Sequence, residues 1–140
     1  MNKDILSSSK TISQLDKSNV LGSINLLSKQ VQHAWETGKQ LDLTALAKNY
    51  KNIVISGMGG SALGGHVVKN LYKDTLAIPL EIVSDYSPPK YLSEESLVIL
   101  SSYSGNTEEV LEFHDKIKFK TKNIVRNVIK YFISYSLLLD

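Results

Sequence analysis

Cysteine is absent from the 140-residue sequence, and arginine occurs once, as Arg126. Without cysteine, the chain has no disulfides, thiolate metal sites or cysteine nucleophile, and a reducing, cytoplasmic location is expected. With one arginine, bidentate guanidinium binding of a phosphate is scarcely available. Any phosphate site therefore has to use backbone N–H groups and hydroxyls.

Strong net charge and long hydrophobic runs are missing as well. Sixteen lysine and arginine residues against 14 aspartate and glutamate residues give a net charge of +2, which offers no general basis for nucleic-acid binding. The apolar segment at residues 124–139 is shorter than a membrane-spanning helix and contains Arg126 and Lys130. The starting sequence MNKDILSSSK lacks the apolar stretch of a signal peptide. We therefore expect neither nucleic-acid nor membrane partners.

A strand, a glycine-rich turn and a helix are predicted in succession from residue 53. The β-branched residues at 53–55 lead into Gly57-Met58-Gly59-Gly60-Ser61, and apolar residues then recur at helical spacing from Leu63. Glycines allow a sharp turn and a close approach of backbone N–H groups to a ligand. A helix start adds unpaired N–H groups and the positive end of the helix dipole. This pattern predicts a bound anion, most often a phosphate.

A second loop follows the strand predicted at residues 97–100. Its sequence is Ser101-Ser102-Tyr103-Ser104-Gly105-Asn106-Thr107, and it ends where a helix begins. Ser102, Ser104 and Thr107 supply three hydroxyls close to a helix start, which suits a phosphate. The alternative is that Thr107 only caps the helix and the serines only bond the turn backbone. No residue here is assigned a catalytic or metal-binding role.

The order of these elements predicts an α/β fold. Strands at residues 53–55, 80–83 and 97–100 alternate with helical or connecting segments, which calls for right-handed crossovers and a doubly wound parallel sheet. The carboxyl ends of parallel strands share one edge of the sheet, so both loops are expected to form one pocket.

A helical segment is predicted to precede this sheet over residues 1–50. Its main helix covers about residues 20–37, with Ser18 or Asn19 as the N-cap, because apolar residues recur there on one face. Residues 51–111 are then the first part of a phosphate-binding domain.

The glycine loop by itself also fits the fingerprint of a dinucleotide site. Gly57, Gly59 and Ala62 have the required spacing, and Asp85 follows the second strand, where an acid that binds ribose is expected. A nucleotide fold has no particular need for a hydroxyl-rich loop after the third strand. The two loops together therefore favour a phosphosugar over a dinucleotide.

The two loops in tandem also resemble a known family. GMGGSALGG, SDYSPP and VILSSYSGNTEE, each at the end of a predicted strand, are similar to the sugar isomerase (SIS) domain, in particular to the amino-terminal portion of bifunctional phosphoglucose/phosphomannose isomerases. The resemblance implies a SIS-type, flavodoxin-like fold, no cofactor, and association into a homodimer. It also implies a hexose 6-phosphate whose phosphate is held by Gly59, Gly60, Ser61, Ser102, Ser104 and Thr107.

The resemblance bears on catalysis too. Family members interconvert aldose and ketose phosphates (glucose 6-phosphate or mannose 6-phosphate and fructose 6-phosphate) with a glutamate base and a ring-opening histidine. Both belong to the family's second half, which this sequence does not match. Residues 112–140 contain no glycine, alanine or proline, which predicts a divergent tail that is not native to the fold. We expect a truncated isomerase that is inactive alone or, alternatively, a stand-alone phosphosugar-binding regulatory module.

Overall fold

The computed structural model describes residues 8–128, and the chain divides into two units, Met1–Ala45 and Leu46–Asp140. The first unit contains the helices α1 (Ser9–Leu15), α2 (Val20–Asn25) and α3 (Leu27–Gly38). The second contains β1 (Asn52–Gly57), α4 (Gly60–Leu71), β2 (Leu80–Val83), β3 (Ser96–Ser102), α5 (Glu108–Ile117) and β4 (Ile124–Val128). Within the described residues, no helix combines the length and the apolar character that crossing a membrane requires.

The four strands form one all-parallel sheet in the order β2-β1-β3-β4. Val54 of β1 pairs with Glu81 of β2 on one side and with Val98 of β3 on the other, and Leu100 of β3 pairs with Arg126 of β4. This order is the beginning of the flavodoxin-like order 2-1-3-4-5. The α/β class and the parallel sheet predicted from the sequence are confirmed.

The helices α4 and α5 cover opposite faces of the sheet. Successive side chains of a strand point to opposite faces, so Val54 and Ile55 lie on different sides of β1. On the side of Val54, α5 contributes the fully buried Phe113 and Ile117 to the core. On the side of Ile55, α4 approaches through Gly65, where a Cβ would lie 3.1 Å from Ile55 Cδ1. The sheet is therefore doubly wound, as predicted.

The boundary predicted at residue 112 falls within α5, and the structure continues through β4. Phe113 lies in the core, and the buried Thr121 donates from its hydroxyl to the backbone oxygen of Ser96 at 3.0 Å. The strand β4 is not among the strands predicted from the sequence. That the tail is not native to the fold stays a prediction, and residues 129–140 lie outside the described part of the chain.

The N-terminal unit contains two consecutive helices, α2 and α3, where the sequence predicts one. Asn19 occupies the N-cap position of α2, but its backbone is left-handed (φ 52°) and its side chain makes no capping hydrogen bond. The carboxylate of Asp16 accepts the N–H groups of Val20 and Leu21 instead, at 2.7 and 2.8 Å. Neither Ser18 nor Asn19 is therefore the capping side chain, because an upstream carboxylate satisfies these donors and also complements the helix dipole.

Tyr91 tethers the connector between β2 and β3 to the sheet. Its hydroxyl donates to the carboxylate of Glu81 in β2. Burial, reinforced by this carboxylate, raises the pKa of Tyr91 from 10.0 to about 12. Between pH 10 and about 12, the folded chain therefore keeps the Tyr91 proton while the unfolded chain loses it. The contribution of Tyr91 to stability is fully present below pH 10 and is lost as the pH rises toward the folded pKa.

We accordingly expect the free energy of unfolding to fall as the pH rises through this window, and Tyr91→Phe to lessen the fall. The measurement is urea unfolding of the two proteins at several pH values from about 9 to about 12, a range that spans the unfolded and folded pKa values of Tyr91. Tyr103→Phe, which removes the same hydroxyl from an exposed tyrosine, serves as the matched control. Equal slopes for the wild type and Tyr91→Phe would contradict the assignment.

Candidate functional site

The two predicted loops lie side by side at the carboxyl edge of the sheet. The first joins β1 to α4 and the second joins β3 to α5. The strands that precede them are neighbours, with Gly57 paired to Ser101 at their ends. From β1 the chain crosses to β2 on one side and later returns to β3 on the other, which makes this the topological switch point of the sheet. In open α/β sheets, ligands bind in the crevice at such a point.

The three glycines of the first loop have two separate roles. Gly59 has φ +51° and ψ −125°, a backbone conformation essentially restricted to glycine. A Cβ on Gly60 would meet no atom within 4 Å, whereas a Cβ on Gly57 would lie 3.0 Å from the backbone oxygen of Ser101. Gly57 thus allows close packing against β3, while Gly59 and Gly60 leave the start of α4 open to a ligand.

Ser61 links the first loop to the second. Its backbone carbonyl accepts a hydrogen bond from Ser101 Oγ at 2.8 Å, and its own Oγ accepts the N–H of Tyr103 at 3.0 Å. A hydroxyl that accepts through a lone pair still has its proton to donate. Ser61 can therefore donate to an anion at the start of α4 while it holds the two loops together.

Ser102 and Thr107 form a hydroxyl pair within the second loop. Their oxygen atoms lie 2.7 Å apart, and Ser102 Oγ also accepts the N–H of Gly105 at 3.0 Å. Thr107 is the N-cap residue of α5, yet its side chain makes no capping hydrogen bond, because it faces Ser102. The pair uses one of its two hydroxyl protons internally, whichever oxygen donates, so one proton is left for a ligand.

Ser104 is the exposed member of the predicted hydroxyl set. Its Oγ accepts the N–H of Asn106 at 3.2 Å, a local turn contact that leaves its proton available. The turn contacts of Ser102 and Ser104 are those that the alternative interpretation of this loop predicts. They do not compete with anion binding, because each serine acts in them as an acceptor.

The loop after β2 is fixed to the start of α5 by Tyr86. Burial, together with the negative charges of Glu108, Glu109 and Glu112, raises the pKa of Tyr86, which also shares a hydrogen bond with Glu109. Lys116 Nζ donates to the backbone oxygen of Tyr86 at 3.1 Å. The contact of Lys116 with the backbone of Tyr86 joins this loop to α5.

Asp85, on which the dinucleotide alternative depends, lies in the same loop. It is exposed, and its Oδ1 accepts the N–H of Ser87 at 3.1 Å. This contact shapes the loop itself. Among the described residues, no three histidine, aspartate or glutamate side chains are grouped so that they could hold a metal ion.

Two serines that the sequence analysis does not assign also contact the glycine loop. Ser84 Oγ donates to the backbone oxygen of Gly57 at 2.7 Å, and Ser101 Oγ donates to that of Ser61. Strand alternation could have revealed Ser101, since neighbouring residues point to opposite faces. With Ser102 on the face covered by α5, Ser101 has to lie on the face covered by α4, where the glycine loop begins.

The chain is similar to several curated proteins of one name. It is 40% identical over 103 residues to a bifunctional phosphoglucose/phosphomannose isomerase from Caldicellulosiruptor bescii, covering 74% of this chain and 30% of that protein. Isomerases of the same name from Thermoplasma acidophilum (42% identity over 62 residues, 44% of this chain and 19% of theirs) and Aquifex aeolicus (40% over 81 residues, 57% and 24%) also match.

These matches confirm the resemblance predicted from the two loops. The chain spans less than a third of the length of the curated relatives that it matches. No protein-family model matches the chain, and neither does a solved structure.

Proposed function

We propose that this chain, which is similar to part of the bifunctional phosphoglucose/phosphomannose isomerases, binds the phosphate group of a hexose 6-phosphate between its two loops. The observation that carries the proposal is the linkage of the loops through Ser61 at the switch point of the sheet. The residues that contact the phosphate are Gly59, Gly60, Ser61, Ser102, Ser104 and Thr107.

The donors of this site are neutral, so its attraction for a phosphate comes from geometry and from the helix dipoles. The N termini of α4 and α5 carry partial positive charge. At α4, Ser61 and Ala62 donate their N–H groups to the backbone oxygens of Met58 and Gly59, at 3.0 and 3.1 Å, so Gly59 and Gly60 are the residues whose N–H groups can face a phosphate there. Hydroxyl protons of Ser61, of Ser104 and of the Ser102–Thr107 pair complete the set. Fixed donors of this kind bind an anion without a large reorganisation cost.

We assign none of the residues of this sequence to the isomerase reaction itself. Isomerisation of glucose 6-phosphate or mannose 6-phosphate to fructose 6-phosphate needs a base that removes the proton beside the carbonyl and a group that opens the sugar ring. By resemblance, both lie outside the sequence described here. We therefore propose that the 140-residue chain binds hexose phosphate without turning it over, and a cytoplasmic location and a homodimer are part of the same proposal.

Glucose 6-phosphate is expected to raise the unfolding temperature of the purified chain. A ligand that binds only the folded state stabilises it by about 2.7 kcal/mol at a hundred times its dissociation constant. Thermal unfolding with glucose 6-phosphate, inorganic phosphate, glucose and NAD separates the contributions of phosphate and sugar. A shift with NAD alone would favour the dinucleotide alternative, and formation of fructose 6-phosphate by this chain would contradict binding without turnover.

A matched pair of variants locates the binding site. Ser104→Ala and Ser93→Ala each remove a hydroxyl that accepts the N–H of the residue two positions on, at 3.2 and 3.3 Å. Ser104 follows the carboxyl end of β3 and Ser93 precedes its amino end. We expect Ser104→Ala to weaken hexose phosphate binding about fivefold, as for the loss of one hydrogen bond. Ser93→Ala should bind as the wild type does, and equal affinities of the two variants would place the ligand elsewhere.

A further inference from the structure

Ser101 joins the two loops from within the sheet. Its residue is 7% exposed, and its Oγ donates to the backbone carbonyl of Ser61 at 2.8 Å. The hydroxyl has one proton, and this hydrogen bond uses it. Ser101 therefore lies next to the proposed phosphate ligands without being one of them.

The glycine loop is held through its carbonyl groups on two sides. Ser101 donates to Ser61, the second residue of α4, and Ser84 donates to Gly57, the last residue of β1. Close packing leaves little freedom between these points, since a Cβ on Gly57 would lie 3.0 Å from the backbone oxygen of Ser101 and 3.4 Å from its Cβ. The start of α4 is thus fixed relative to the end of β3.

This fixed relation matters because the donors of the site come from both loops. A phosphate can contact both loops only if the donors of α4 and those of the β3–α5 loop lie at a suitable distance from each other. Donors that are held in place before binding give higher affinity than donors that the ligand has to order.

We propose that Ser101 is a positioning residue of the phosphate site. Its hydrogen bond to the Ser61 carbonyl keeps the start of α4 at the distance from the β3–α5 loop at which both loops contact one phosphate. The inference rests on the proposed function. It adds to the site a residue that acts through the backbone of Ser61 and not by touching the ligand.

The test compares Ser101→Ala with Thr121→Val. Thr121 Oγ1 is likewise buried and donates to a backbone carbonyl, that of Ser96, at 3.0 Å, but at the amino edge of the sheet. Urea unfolding should show a loss of stability in Thr121→Val at least as large as that in Ser101→Ala, because Thr121 Oγ1 also accepts the N–H of Asn123 at 3.0 Å. Isothermal titration should show dissociation constants for glucose 6-phosphate and inorganic phosphate that both rise about tenfold in Ser101→Ala. Both constants should be unchanged in Thr121→Val.

A third variant, Ser101→Cys, keeps a weaker donor at the same position. We expect its affinity to lie between those of the wild type and Ser101→Ala, because the affinity should follow the strength of the hydrogen bond to the Ser61 carbonyl. Wild-type affinity in Ser101→Ala, or equal losses of affinity in Ser101→Ala and Thr121→Val, would overturn the positioning role alone. Failure of the wild type to bind either phosphate compound would overturn the proposed function, and the inference with it.

Discussion

Replacing Phe113 with alanine is expected to lower the free energy of unfolding by about 3 to 5 kcal/mol. Phe113 is fully buried between α5 and the sheet, in one cluster with Val54, Val98 and Leu100. Removing its ring eliminates buried apolar area and leaves a cavity that the surrounding side chains fill only in part. Because domains of this size are stable by only about 5 to 15 kcal/mol, the variant is expected to be at the edge of unfolding.

Phe119→Ala is the matched control for Phe113→Ala. Phe119 comes just after α5 and is 88% exposed, and its ring lies 5.4 Å from Lys118 Nζ. An exposed cation–π contact of this kind contributes about 0.5 to 1 kcal/mol. Urea unfolding followed by circular dichroism should give a much lower midpoint for Phe113→Ala than for Phe119→Ala. Equal midpoints would mean that α5 does not pack against the sheet as described.

The position of Phe113 also shows where prediction from the sequence ends. The three strands with runs of apolar, mostly β-branched residues are predicted correctly, and the strand predicted at residues 80–83 coincides with β2. Phe113 lies beyond residue 112, in the segment whose composition predicts a divergent tail. The lack of glycine and proline in that segment does not exclude core residues from it. Phe113 follows Val110 at helical spacing, and both are buried in α5.

The sequence does not predict β4 because the turn before this strand is formed by side-chain contacts and contains neither glycine nor proline. The N–H of Asn123 donates to Thr121 Oγ1 at 3.0 Å, and Asn123 Nδ2 donates to the backbone oxygen of Glu94 at 2.7 Å. Threonine and asparagine can replace a backbone turn contact through their side chains. A search for glycine or proline therefore misses this turn. Its contacts come from side chains, and one of them reaches a residue 29 positions away in the sequence.

The candidate site is predictable only at the level of its loops. The spacing of Ser102, Ser104 and Thr107 predicts that their hydroxyls are close, and the structure places two of them 2.7 Å apart. The Thr107 hydroxyl can either cap α5 or bond to Ser102, and its side-chain torsion decides between the two. The sequence does not specify this torsion. The contact of Ser101 with Ser61 depends on the packing of α4 against β3, which sequence spacing alone does not specify.

Gly59→Ala and Gly60→Ala are expected to change stability in opposite directions. The φ of +51° at Gly59 strains any side chain, which costs about 1 to 3 kcal/mol. Gly60 is the first residue of α4, and a Cβ there meets no atom within 4 Å. Alanine at such a position restricts the unfolded chain and gains about 0.4 to 1 kcal/mol. Urea unfolding of both variants measures the two effects, and a loss of stability in Gly60→Ala would contradict the open geometry.

Gly60→Ala then separates binding from folding. If a phosphate occupies the open space at the start of α4, the added methyl group competes with it and blocks the approach of the backbone N–H groups. We expect the variant to be at least as stable as the wild type and yet to bind glucose 6-phosphate at least about tenfold more weakly, a loss of about 1.4 kcal/mol. Titration of this variant thus tests the site without the ambiguity of a damaged fold. Binding at wild-type affinity would move the phosphate away from the helix N terminus and leave the hydroxyls of the second loop as its principal donors.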